Sequence, residues 1–149
     1  MITKILVPTD GSKPARKSVE YAVEFARQTG ATVVLLSVVD KSAYIPQVIP
    51  PGAIPSRVAE PLEDYLTHAA ESYLEEAKKI CIEGGVPSKR VIRYGHPVEG
   101  IIKEAQKSKV DLILIGSHGR SALKAAVLGS IAFGVISKES TVPVLVVRK

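Results

Sequence analysis

The sequence predicts an open, doubly wound α/β fold, and three observations carry that prediction. Short β-branched runs alternate along the chain with segments whose apolar residues recur at helical spacing. The inner runs are almost continuously Val, Leu and Ile, as strands of a parallel sheet covered on both faces should be. Clusters of glycine, proline and hydroxyl residues separate the segments and mark the turns between them. The 149 residues show no internal repeat and no domain boundary, so 1–149 reads as a single domain able to bury its own core.

Ile2 to Val7 is the first strand, ended by the turn cluster Pro8-Thr9-Asp10-Gly11-Ser12. Ala15, Val19, Ala22 and Ala26 form the stripe of the first helix, which Gly30 stops. Thr32 to Val39 is the second strand. The second helix is read from about Val58 to Glu83, with Leu62, Leu66, Ala69, Tyr73, Ala77 and Ile80 along one stripe. Cys81 falls beside that stripe as a small packed residue. Val91 to Tyr94 is a third, shorter strand. The turn Gly95-His96-Pro97 follows, with Pro97 suited to the first helical position. Val98, Ile101, Ile102 and Ala105 mark the third helix, and Leu112 to Ile115 the fourth strand. Ile131 to Lys138 lies in the fourth helix, and Val142 to Val147 closes the chain as a strand.

Composition narrows the setting. A single cysteine forbids an internal disulfide and suits a reducing compartment. No leader pattern precedes the first strand, and no apolar run approaches the roughly 18–20 residues that span a bilayer. A cytoplasmic protein without a membrane partner is expected. The formal charge is +5, but the basic residues are scattered and read as a solvated face, so nucleic acid is not an expected partner.

The strongest chemical signal follows the fourth strand. Gly116-Ser117-His118-Gly119 ends it, and after nine intervening residues Gly129-Ser130 opens the last helix. Two glycine turns bring bare backbone N–H groups close to an anion, and a helix N-terminus favours negative charge. This split cradle points to a phosphate-bearing nucleotide, and more weakly to an adenine nucleotide. No GxxxxGK[ST] or GxGxxG follows the first strand, which speaks against a P-loop or a dinucleotide site there.

If the strand order reverses between the first and fourth strands, their carboxyl ends converge and Asp10 faces the glycine turns. A carboxylate there suits a ribose hydroxyl or an Mg²⁺ held against phosphates. The same Asp-Gly-Ser is also ordinary turn and cap chemistry. Val38 and Val39 end the second strand at that edge; by pattern they are core valines, though a strand end can also read an adenine edge. His118 offers its backbone N–H more than its ring, and His68, His96 and His118 lack metal-ligand spacing. The segment 41–57 contains Pro46, Pro50, Pro51 and Pro55, and is long enough to be a lid, a partner contact or simply a self-packed loop.

Taken together these residues resemble the ATP-binding branch of the universal stress protein family over nearly the whole chain. The likeness runs from Lys4-Ile5-Leu6-Val7-Pro8-Thr9-Asp10-Gly11-Ser12 through Leu35 to Asp40 and Gly95-His96-Pro97 to Pro143-Val144-Leu145-Val146-Val147. Its diagnostic element is G-x2-G-x9-G-[S/T], met by Gly116, Gly119, Gly129 and Ser130. The resemblance implies an adenine nucleotide alpha hydrolase-like fold with five parallel strands in order 3-2-1-4-5. It assigns Gly116, Gly119, Gly129 and Ser130 to phosphates and ribose, with His118, Arg120 and Ile131 in the same loop and helix start. Pro8, Thr9 and Asp10 would flank the nucleotide and Val38 would contact adenine. ATP with Mg²⁺ or Mn²⁺ is the expected ligand, and the position of Asp10 at the strand end makes it the expected metal-side residue. Ala122 stands where the family often has glycine, and Gly134 should cost its helix about 0.5–1 kcal/mol relative to alanine.

The resemblance further implies a homodimer joined through the Val142 to Val147 strand, which would cover an apolar edge. The function it implies is a nucleotide-dependent regulatory or stress-response switch acting on an unidentified protein partner. Two alternatives remain. One is a slow or partner-stimulated ATPase using Asp10 with Arg120 or Lys124, for which no base for the water is evident. The other is a binder of AMP or another adenine nucleotide.

Overall fold

The computed structural model describes residues 1–44, 56–119, 128–139 and 141–148. Five parallel strands form one sheet in the order β3-β2-β1-β4-β5. They are β1 (Lys4–Pro8), β2 (Thr32–Val39), β3 (Ser88–Tyr94), β4 (Leu112–Gly116) and β5 (Val144–Val147). The helices between them are α1 (Lys13–Thr29), α2 (Ser56–Glu83), α3 (Pro97–Lys107) and α4 (Ser130–Lys138).

The pleat divides the core in two. On one face Ile5, Val7, Val33, Leu35, Leu112 and Leu114 pack against α1 and α2. On the other, Leu6, Val34, Leu36, Ile113 and Ile115 pack against α3 and α4. Consecutive residues of one strand therefore serve opposite layers, which is why β1, β2 and β4 read as unbroken apolar runs.

Local chemistry sets the helix ends. The Ser12 hydroxyl accepts the Ala15 N–H at 3.2 Å and caps α1, and Gly30 ends that helix in the left-handed conformation. His96 caps α3 through Nδ1, which accepts the Val98 N–H at 3.2 Å, with Pro97 in the first turn as expected.

β1 and β4 become neighbours although about a hundred residues separate them. Asp111 ties their amino ends: its Oδ2 accepts the Thr3 N–H and hydroxyl, both at 2.9 Å, and the Lys4 N–H at 3.1 Å. These donors hold the Asp111 carboxyl below its ordinary range, the backbone N–H of Thr3 first among them.

Several expectations need correction. β1 spans Lys4–Pro8 rather than starting at Ile2, and β5 begins at Val144 rather than Val142. β3 begins at Ser88, three residues earlier than expected, because an edge strand can carry the polar run Ser88-Lys89-Arg90. The buried stripe of α2 is Leu66, Ala70, Leu74, Ala77 and Cys81. Ala69, Tyr73 and Ile80 are only half-buried, since α2 faces α1 as well as β2 and β3. Cys81 thus lies inside the core, and burial pushes its thiol pKa up. The segment 41–57 is not wholly a loop: Lys41–Tyr44 is a 3₁₀ turn and α2 starts at Ser56. Its remainder, 45–55, lies outside the described residues.

Gly134 is not simply a weak spot in α4. A Cβ there would stand 2.7 Å from Val98 Cγ2, so the glycine permits the close approach of α4 to α3. The expected helix penalty is offset by packing. Between β3 and α3 runs an ion pair that periodicity did not suggest. Glu104, 3% exposed, accepts Arg93 Nε–H at 2.8 Å and the Ser108 hydroxyl. Burial pushes its carboxyl pKa up, but those two hydrogen bonds and the charges of Arg93 and Lys107 outweigh burial and leave it lowered.

Candidate functional site

The sheet order reverses between β1 and β4, and in open α/β sheets the crevice at such a point lies beyond the carboxyl ends of the strands. A cleft of about 720 Å³ occupies that place. Pro8, Thr9 and Asp10 line it from β1, Val38 from β2, and Gly116, Ser117, His118 and Gly119 from β4. Gly129, Ser130 and Ile131 line it from the start of α4. Of the expected site residues, only Arg120 is not among these; it lies outside the described residues, as do Ala122 and Lys124.

The first wall is the turn after β1. The Thr9 N–H donates to Leu36 O at 2.8 Å, fixing the turn to β2. Asp10 accepts the Ser12 N–H at 3.0 Å through Oδ1, the turn role considered for it. Its other oxygen faces the cradle: a Cβ on Gly119 would lie 2.8 Å from Asp10 Oδ2. Turn chemistry and site placement therefore coexist in one side chain.

The second wall is the split glycine turn. The Gly129 N–H donates to Ser117 O at 2.6 Å, so the two halves of the cradle touch although ten positions separate Gly119 from Gly129. A Cβ on Gly129 would meet Ser117 O at 3.0 Å and His118 Cα at 3.3 Å. Gly129 is also the N-cap of α4 and makes no side-chain cap bond, so no cap side chain occupies the first N–H groups of that helix, whose first residues line the cleft. The Ser117 N–H donates to Val147 O at 2.8 Å, tying the turn to the end of β5.

The His118 side chain is buried, with Nδ1 2.9 Å from Ser117 Oγ. Its ring is part of the turn's packing, while its main chain borders the cradle. Val38 is half-buried, lines the cleft and packs against Gly100 of α3.

Reasoning from the sequence missed the far wall. His96 and Pro97 at the start of α3, and Phe133 one turn into α4, also line the cleft. The signal was available for His96 and Pro97, since they follow β3 at the same sheet edge as the other strand ends. With Nδ1 accepting the Val98 N–H, the His96 proton sits on Nε2, leaving that nitrogen a donor. Nothing local to Phe133 marks it; its place depends on how α3 and α4 pack.

Among the described residues, no group of three or more His, Cys, Asp or Glu side chains is arranged to hold a metal ion by itself. Asp10 fits a different arrangement, since Mg²⁺ commonly takes one or two carboxylates together with ligand phosphates and water. Its Oδ2 lies close against Gly119, and Asp10 is the residue that would hold such a shared ion. No helix among the described residues is long and apolar enough to cross a membrane.

Known proteins carry the same arrangement of elements. The universal stress protein MJ0577 of Methanocaldococcus jannaschii is 35% identical over 157 aligned positions, covering 100% of this chain and 96% of that one. Its solved structure matches with a TM-score of 0.86, covering 100% of this chain and 97% of that one. YxiE, a universal stress protein of Bacillus subtilis, is 33% identical over 150 positions, covering 99% of this chain and all of that one. Two more distant neighbours share the fold and were solved with nucleotides. One is a universal stress protein in complex with cAMP (22% identity, TM-score 0.69, covering 99% of this chain and 97% of that one). The other, from Archaeoglobus fulgidus, is in complex with dAMP (21% identity, TM-score 0.67, covering 98% of each chain). The family model for the universal stress protein family matches residues 1–148. On that match, and on relatives above 30% identity aligned nearly end to end, the chain belongs to the universal stress protein family.

Proposed function

We propose that the cleft binds an adenine nucleotide, with ATP and Mg²⁺ or Mn²⁺ as the form held, and that occupancy switches a surface read by a protein partner. The observation that carries this reading is the meeting of Asp10 with Gly119, and of Gly129 with the turn that holds Gly119, at the reversal of strand order. The volume of about 720 Å³ lies within the range of small-molecule sites. The family's nucleotide complexes, with cAMP and dAMP, favour adenine.

In this reading Gly116, Gly119 and Gly129 let backbone N–H groups approach the phosphates, and Ser130 and Ile131 begin the helix whose N-terminus favours their charge. Asp10, flanked by Pro8 and Thr9, meets the ribose or the metal, and Val38 packs on adenine. His118 contributes its backbone and Arg120 belongs to the same loop. A switch needs only that ATP bind one state of the protein better than another.

The test is to denature freshly purified protein, identify any released nucleotide by chromatography, and titrate nucleotide-free protein with ATP, ADP, AMP and cAMP calorimetrically, with and without Mg²⁺. Bound adenine nucleotide that stays intact supports a switch. Rapid conversion of ATP to ADP would move the reading to hydrolysis. Binding of none of the four would overturn it.

The same reading includes a homodimer through β5. That strand ends the sheet, and Phe133 and Ile136 of α4 are exposed apolar side chains. Light scattering on the purified protein checks it, and a monomer at micromolar concentration would refute it.

A further inference from the structure

Gly11 takes φ +77°, a left-handed conformation that glycine reaches without penalty and leaves just as easily. Something must therefore hold the turn that aims Asp10. A Cβ on Gly11 would fall 2.3 Å from Tyr73 Cδ1 and 2.4 Å from Cε1, so the aromatic ring of α2 lies directly over the glycine. A small cavity of about 140 Å³, bordered by Thr9, Gly11, Ser12 and Tyr73, lies behind the turn. Thr9 lines this cavity and the nucleotide cleft, so the turn is a thin partition between them. Asp10 lines the cleft and Tyr73 does not.

We infer that Tyr73 is a positioning residue for nucleotide binding, acting through Gly11 on the direction of Asp10. The bond from the Ser12 N–H to Asp10 Oδ1 spans Gly11, so a change in that glycine's conformation breaks the bond and re-aims the carboxylate. The ring can act as a stop because its helix is anchored on either side of it. Ala70, Leu74 and Ala77 are all buried in the sheet's packing. This inference rests on the nucleotide reading of the cleft.

The test is a double-mutant cycle on ATP affinity in the presence of Mg²⁺, using Tyr73→Ala, Asp10→Ala and the pair. Tyr73→Ala should weaken ATP by about tenfold, within the span of interaction energies for residues coupled through one network. In the Asp10→Ala background the same change should cost less than about twofold, because the side chain it positions is gone. Tyr73→Phe, which keeps the ring over Gly11, should restore the affinity. Equal losses in both backgrounds, or no loss from Tyr73→Ala, would overturn the inference.

A readout without nucleotide separates this idea from the reading on which it rests. In the unliganded protein, the amide signals of Gly11, Ser12 and Gly119 should shift, and the Ser12 amide exchange faster, in Tyr73→Ala but not in Tyr73→Phe. If the wild type binds no nucleotide while these signals respond, the functional reading fails and the clamp on Asp10 stands. If they do not respond, the clamp fails whatever the cleft binds.

Discussion

Replacing Gly119 with valine should abolish nucleotide binding and leave the fold standing. A Cβ at this position would stand 2.8 Å from Asp10 Oδ2, nearer than real Cβ contacts come, so the carboxylate must move. Its other oxygen is held by the Ser12 N–H at 3.0 Å, and swinging Asp10 away gives up that bond. An off-rotamer side chain costs about 0.5–1.5 kcal/mol and a lost hydrogen bond of this kind about 0.5–1.5 kcal/mol, so destabilisation of about 1–3 kcal/mol is expected. For a chain of this size that lowers Tm by roughly 2–12 °C. Binding suffers more. The displaced carboxylate forfeits a charge-assisted contact of about 1.5–3 kcal/mol, and the valine methyls fill the space the phosphates need, so ATP affinity should fall at least about 100-fold. Calorimetric titration with ATP, run beside thermal denaturation, measures both. Affinity within about threefold of the wild type would refute the cradle as the site. A stability loss above about 3 kcal/mol would refute the claim that the clash is local.

Three further outcomes follow from the packing. Gly134→Ala places a Cβ 2.7 Å from Val98 Cγ2, so overpacking of about 1–3 kcal/mol should exceed the gain of about 1 kcal/mol in helix propensity. Its Tm should fall and be recovered by adding Val98→Ala; a rise in Tm for the single variant would show that the helices can part freely. Arg93→Met strips Glu104 of its cation and should cost about 3 kcal/mol in urea denaturation, at the low end for such pairs because Arg93 keeps partial exposure and Ser108 remains. Adding Glu104→Leu should return stability to within about 1 kcal/mol of the wild type, and a double variant as unstable as the single would contradict this. The carboxyls of Glu104 and Asp111 both titrate lower in the fold than in the unfolded chain. Their stabilisation is thus complete above the ordinary values of 4.5 and 3.8 and is lost as pH falls through the lowered folded values. Denaturation midpoints should hold steady down to the ordinary carboxylate range and drop below it, with a shallower drop in Asp111→Asn.

What the sequence reveals and conceals divides along physical lines. Ala15, Val19, Ala22 and Ala26 of α1 declared themselves because a helix buries one face and its period is local. The spacing of Gly116, Gly119 and Gly129 was equally legible, since a backbone approach that leaves no room for a Cβ restricts the residue type at each point. Glu104 was not legible. A buried carboxylate depends on a guanidinium eleven residues away on another element, and no period encodes that pairing. The polar start of β3 was hidden for a related reason: with β2 on only one side, Lys89 and Arg90 keep their side chains in solvent while their backbones pair. The stripe of α2 was misread because that helix packs against α1 as well as against β2 and β3, so a single helical stripe does not mark its buried side.

The site itself depends on a step that no local pattern contains. Ile5 pairs with Leu112 and Leu6 with Ile113, so continuing the register brings the residues after Pro8 level with those after Ile115. A slip of one residue would carry Asp10 about 3.3 Å along the strand and reverse which layer each side chain of β4 serves. Such a slip would bury the wrong faces of Leu112, Ile113, Leu114 and Ile115, and it would break the bonds of Asp111 to Thr3 and Lys4 at the opposite end of the sheet. The core packing that stabilises the domain is therefore also what sets Asp10 against the glycine cradle. A short side chain on a turn can be placed that finely because two strands behind it admit only one register, and the ring of Tyr73 closes the turn from the other side.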